Sequence, residues 1–129
     1  MNSTVSYTRP DGQIASAYLA QAKGTSSAPA IVVIQEWWGV NDQIKEVAHR
    51  LANEDYQVLV PDLYKGKIAL EENEANHLMT GLDFGDAASQ DIRGAVQYLK
   101  AQGAPKVGVT GFCMGGVRSH YYRPLLHPK

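Results

Sequence analysis

The sequence predicts an α/β fold: a sheet that turns parallel after an opening hairpin, with helices on its faces. Three observations predict it. Short β-branched runs such as Ala30–Ile34 (AIVVI) carry no charge and read as strands buried on both faces. Stretches with apolar residues at i, i+3, i+4 and i+7 separate those runs and read as helices with one buried stripe. The resulting order of hairpin, strand, helix, strand, helix, strand calls for crossover connections within one sheet.

The elements follow in order. Val5 and Tyr7 alternate with polar residues before Pro10-Asp11-Gly12, and residues 14–19 resume the alternation after it. Proline presets φ and glycine accepts φ > 0, so this tripeptide predicts a β-hairpin. Residues 23–29 (KGTSSAP) are a polar loop. Ala30–Ile34 is the first buried strand, followed by Gln35-Glu36-Trp37-Trp38-Gly39. A helix is expected from Asn41 or Asp42, with Ile44, Val47, Ala48 and Leu51 on its stripe. Residues 56–60 (YQVLV) form the next strand, stopped by Pro61, and residues 71–82 a helix with a weak stripe. Asp86 is the expected cap of a longer helix in which Ile92, Ala95, Val96 and Leu99 share a face and which Gly103 ends. Residues 106–110 (KVGVT) are the last strand.

Composition narrows the function classes. The 129 residues make one domain, 44% hydrophobic and 19% charged, enough to bury a core. A net charge of −1 supplies no field for nucleic acid or an anionic membrane. The longest apolar run, residues 28–34, is far too short to span a bilayer. Met1 is followed by polar residues, without the pattern of a secretory signal, and the single cysteine excludes an internal disulfide framework. Together these predict a cytoplasmic protein.

The chemistry lies after the last strand. Gly111-Phe112-Cys113-Met114-Gly115-Gly116 has the form of a nucleophile elbow with cysteine in the serine position. A nucleophile on a tight strand-to-helix turn sits in strained φ/ψ, and side chains two residues away on either side would collide there, hence Gly111 and Gly115. The helix N-terminus favours the thiolate, and the Met114 backbone N–H would supply half of an oxyanion hole. Two other readings stand beside this one. A lone cysteine also serves as a small buried hydrophobe. A glycine-rich strand-to-helix turn also cradles phosphate, although neither G-x-G-x-x-G nor G-x-x-x-x-G-K-[ST] is present. A redox-sensor role for Cys113 lacks a resolving cysteine.

Taken together, Val33-Ile34-Gln35-Glu36-x-x-Gly39, Pro61-Asp62-Leu63-Tyr64 and Gly111-Phe112-Cys113-Met114-Gly115-Gly116 resemble the dienelactone hydrolase (carboxymethylenebutenolidase) family of the α/β-hydrolase superfamily. The resemblance implies an α/β-hydrolase-type, mostly parallel sheet with flanking helices. It implies that Glu36 interacts with Cys113 and that the Trp37 N–H completes the oxyanion hole with Met114. It further implies hydrolysis of small-molecule carboxylic esters or lactones through a thioester, without metal or organic cofactor. Trp37 and Trp38 are expected to wall an apolar substrate pocket, the alternative being plain core aromatics. Family members that act on dienelactone clamp a carboxylate with arginine. No arginine lies between Arg50 and Arg93 here, and Lys65 and Lys67 are the cations near that strand end.

The pattern also departs from the family. The superfamily takes its triad in the order nucleophile, acid, histidine, yet no Asp or Glu follows Cys113. His120 and His127 read as incidental, and His49 and His77 as solvated helix-surface residues. Residues 117–129 (VRSHYYRPLLHPK) form an atypical tail with no apolar stripe, broken by Pro124. The expectation is therefore a single partial domain over residues 1–129, C-terminally truncated, whose uncovered last strand invites self-association. A non-catalytic remnant or association module lacking the triad acid and base is the alternative function.

Overall fold

The computed structural model describes residues 2–21 and 28–111. Strands β1 (Asn2–Thr8) and β2 (Ile14–Gln21) form the expected hairpin, antiparallel from Asn2↔Ala20 to Thr8↔Ile14. Strand β3 (Ala30–Ile34), helix α1 (Asp42–Ala52) and strand β4 (Gln57–Pro61) follow. Helix α2 (Glu72–Thr80) precedes a longer helical run: α3 (Phe84–Asp86), a π-helical segment (Ala87–Ile92) and α4 (Arg93–Ala101). Strand β5 (Val107–Gly111) closes the series.

The strand order is β1-β2-β4-β3-β5. Strand β3 lies between β4 and β5 and is parallel to both, while β2 joins the hairpin antiparallel to β4. The parallel part is thus β4-β3-β5, and the sheet as a whole is mixed. Alternation along β3 explains its uninterrupted apolar run. Val32 and Ile34 pack into a cluster with Leu59, Ile92, Leu99 and Val107, on the side of α4. Val33 packs on the other face with Ile44, Ala48, Val58 and Val60, beneath α1. Each Val, Leu or Ile side chain wholly removed from water here contributes about 1.5–3 kcal/mol.

Three expectations shift in detail. Strand β4 runs through Pro61, which lies opposite Ala17, instead of stopping before it. The ring suits an extended backbone and only its missing N–H limits the ladder. The second helix is shorter, at Glu72–Thr80. Asp86 is not the cap of the long helical run. Asp83 caps it, its side chain accepting the Asp86 N–H at 3.0 Å.

The reason is a long-range charge cluster. Arg9, 5% exposed, forks onto three carboxylates. Nη1 and Nη2 donate to both oxygens of Asp86 at 3.1 Å, Nη1 to Asp91 Oδ1 at 3.2 Å, and Nε to Asp11 Oδ1 at 3.1 Å. The Tyr7 hydroxyl donates to the Asp91 backbone carbonyl at 2.7 Å. These bonds fasten the hairpin to the π-helical segment. Burial pushes the Asp91 carboxyl up despite the opposing pull of Lys65 and Arg9. The Arg9 hydrogen bond holds Asp11 below the usual carboxylate range.

Candidate active site

Strand β3 ends at Ile34, and the next side chain, Gln35, is polar yet wholly buried. Its Oε1 accepts the Leu63 N–H at 2.8 Å, so it ties the loop after β4 to the loop after β3. A buried amide left without such a partner would cost about 1–3 kcal/mol. The chain then turns through residues 36–39. The Gly39 N–H reaches the Glu36 carbonyl at 3.1 Å, and Gly39 sits at φ 99. A Cβ there would stand 2.6 Å from the Lys67 carbonyl oxygen and 3.4 Å from Ile68 Cα, so both conformation and space require glycine. Asn41 then caps α1, its side chain accepting the Ile44 N–H at 3.2 Å.

This turn holds the predicted site residues. Glu36, Trp37 and Trp38 are all half-buried. The two indoles meet edge to face, centroids 5.4 Å apart at 68°. The Trp38 carbonyl accepts the Ala69 N–H at 2.9 Å, so the loop after β4 is fastened here a second time. Glu36 borders a cavity of about 350 Å³ with Gln43, Glu46, Val47 and Arg50. Among the described residues no hydrogen bond or ion pair engages its carboxylate, while Arg50 is paired with Glu46 at 3.2 Å.

The strand register bears on the nucleophile. Ile34 lies opposite Gly111 across the parallel β3–β5 pair. Glu36 stands two residues beyond the first of these in sequence, and Cys113 two beyond the second. Cys113, Met114, His120, His127 and the tail 117–129 lie outside the described residues. The expected approach of Glu36 to Cys113 and the convergence of the Trp37 and Met114 amides therefore lie there too.

The loop after β4 is built around Asp62, whose Oδ2 accepts the Gly66 N–H at 2.8 Å. Its Oδ1 is buried and has no partner among the described residues. Burial raises the neighbouring Tyr64 phenol to about 12. Lys65 and Lys67 are exposed loop lysines. They line a second cavity of about 300 Å³ with Asp83, Asp86 and Asp91. His77 is exposed, as expected, but His49 is half-buried. Its Nε2 lies 2.7 Å from the Tyr18 hydroxyl, because the α1 face that carries Lys45 and His49 packs on β2. Nothing in local spacing announces that pair, nor the Arg9 cluster. Gln35 did carry a signal, being a polar side chain directly after a doubly buried strand. Among the described residues no group of three or more His, Cys, Asp or Glu is placed to hold a metal, and no helix is long and apolar enough to cross a membrane.

Known proteins share this sequence pattern and this fold. A sequence model of the dienelactone hydrolase family matches residues 15–126. Protein usf of Aquifex pyrophilus is 37% identical over 113 residues, covering 81% of this chain and 48% of its own length. A carboxymethylenebutenolidase homologue of Aquifex aeolicus is 34% identical, with the same two coverages of 81% and 48%. The chain thus spans about half the length of the curated relatives it matches. A crystal structure of a dienelactone hydrolase homologue from Klebsiella pneumoniae superimposes with a TM-score of 0.79 over 95% of this chain and 54% of its own, at 24% identity. That likeness concerns the fold.

Proposed function

The chain belongs to the dienelactone hydrolase family, and from that premise we propose that it carries the nucleophilic half of an enzyme hydrolysing small-molecule carboxylic esters or lactones through Cys113. The observation that supports this most is the β3–β5 register. Pairing of Ile34 with Gly111 sends two neighbouring chains off the same sheet edge. Adjacent strands lie about 4.8 Å apart, so residues two steps beyond a matched pair suit direct contact between Glu36 and Cys113.

In this reading the Glu36 carboxylate accepts the thiol proton of Cys113 at rest and is displaced when substrate enters. The thiolate attacks the ester carbonyl carbon, forming a C–S bond, and the developing oxyanion takes the Trp37 and Met114 N–H groups. Collapse breaks the C–O bond to the alcohol, which leaves with the proton that Glu36 took from Cys113, and the acyl group remains as a thioester. Water then cleaves the thioester to acid and free thiol. A single free thiol in this role suits a reducing cytoplasm.

Because no Asp or Glu follows Cys113, this chain alone should acylate without efficient turnover. Triad members act as a unit, and without them only about 10³–10⁴-fold over water remains in serine systems. The test is a p-nitrophenyl acetate time course with mass spectrometry. One equivalent of nitrophenolate and an acetyl adduct on Cys113, both lost in Cys113→Ala, support the proposal. An unmodified Cys113 with no burst contradicts it.

A further inference from the structure

Residues four apart on a helix stand one above the other, so Lys45 and His49 form one flank of α1, beside the buried Ile44 and Ala48. That flank meets Tyr18 of β2. The His49 Nε2 lies 2.7 Å from the Tyr18 hydroxyl, and the two rings meet edge to face with centroids 5.6 Å apart at 76°. The Lys45 ammonium stands 5.1 Å from the centroid of the same phenol ring. A phenol is thus held between a base and a cation. The residues of α1 that border the Glu36 cavity, Gln43, Glu46, Val47 and Arg50, lie on other lines of the helix. Two buried tyrosines show what is particular here. Burial raises the Tyr64 phenol to about 12 and raises that of Tyr7 as well, so both hold their protons. The Tyr7 hydroxyl also faces a backbone carbonyl, which cannot take a proton. Tyr18 is only half-buried, and Thr4, opposite it on β1, is exposed, so a small reagent can reach this face of the hairpin.

We propose that Tyr18, His49 and Lys45 make a second nucleophilic site, independent of Cys113, that is modified on its phenol oxygen by hard electrophiles of the sulfonyl fluoride class. The Tyr18 hydroxyl donates to Nε2, and His49 takes that proton as the phenol oxygen attacks sulfur. An S–O bond forms, the S–F bond breaks and fluoride leaves. The imidazolium then gives its proton to water, and a sulfonate ester remains on Tyr18. The Lys45 ammonium assists because its attraction to the ring grows as negative charge spreads from the oxygen into it, which favours the transition state over the ground state.

Benzenesulfonyl fluoride tests this on Cys113→Ala, a parent protein from which the competing thiol has been removed. Peptide mapping by mass spectrometry reads the rate at each tyrosine. Tyr18 should be labelled about tenfold or more faster than Tyr56, which is also half-buried. Adding His49→Gln leaves an amide oxygen that can still accept the hydroxyl but cannot take its proton. Labelling of Tyr18 should then slow about 100-fold while Tyr56 keeps its rate. Lys45→Met, which keeps the aliphatic stem and loses the charge, should slow Tyr18 by about two- to fivefold. Circular dichroism checks that each variant folds, and a faster Tyr56 would betray one that does not. Should His49→Gln unfold, the ratio of Tyr18 to Tyr56 in the parent decides alone. Tyr18 labelled no faster than Tyr56 would overturn the proposal, as would a folded His49→Gln that keeps the parent rate. Neither result touches the reading of Cys113, because no thiol takes part.

Discussion

Arg9 and Glu36 are two charges handled in opposite ways. Arg9 is buried and saturated by three carboxylates from the hairpin turn and the helical run, and its bonds to Asp86 and Asp91 fix the hairpin against that run. Glu36 is half-buried beside an open cavity, and among the described residues nothing engages its carboxylate. Around Glu36 it is the backbone that is fixed, by Gln35, Gly39 and the Trp38 carbonyl. The contrast teaches where this chain invests rigidity. At the hairpin the side chain is the structural part. At the turn the scaffold is locked and the Glu36 carboxylate is left without a partner among the described residues, as its proposed role requires.

The largest effect should come from breaking the saturated charge. Arg9→Met leaves Asp91 buried without its partner and should cost about 3–5 kcal/mol in urea unfolding at neutral pH. A loss below about 1 kcal/mol, the range of a surface pair, would show that the cluster does not hold the hairpin. Gly39→Ala should cost about 1–3 kcal/mol through its positive φ and the contact with the Lys67 carbonyl. It should also perturb tryptophan fluorescence, because the strained turn carries both indoles. An unchanged spectrum and midpoint would mean that the turn is looser than its geometry.

A smaller effect concerns pH. Asp91 has a raised folded-state pKa, so the stability tied to its protonated form is full below the ordinary carboxylate value and is lost as pH rises through the raised one. Asp11 has the opposite sign: its contribution is present above the ordinary value and is lost as pH falls through the lowered one. Asp91→Asn removes only the first dependence. Its stability relative to wild type should therefore improve as pH climbs from about 4 towards neutrality. A pH-independent difference between the two proteins would contradict the assignment.

The same two regions mark what could be read in advance. The turn was legible because its signals are local: a doubly buried strand, a polar pair, two tryptophans and a glycine within a few residues. The strands and α1 were legible for the same reason, since the period of two or 3.6 survives in the linear order. The Arg9 cluster was not, because its partners Asp86 and Asp91 lie 77 and 82 residues away and each reads alone as a surface carboxylate or a cap. Asp86 fits the local rule for a helix cap, but its carboxylate goes to the buried Arg9 guanidinium and Asp83 caps instead. His49 was missed similarly, since Tyr18 meets it only once α1 lies on β2. Local patterning announced the turn after β3, and long-range electrostatics placed the hairpin.

The central claim is that Glu36 and Cys113 face each other across the β3–β5 edge. Cys113 is the sole cysteine, so Glu36→Cys creates one candidate disulfide pair and no other. A disulfide needs Cα atoms about 4.4–6.8 Å apart, which the strand spacing should provide. Mild oxidation of the dilute variant should consume both thiols within a monomer, as read by thiol titration and intact mass, and should be reversed by dithiothreitol. Thiols that stay free, or that cross-link only between molecules, would contradict the placement of the nucleophile beside Glu36.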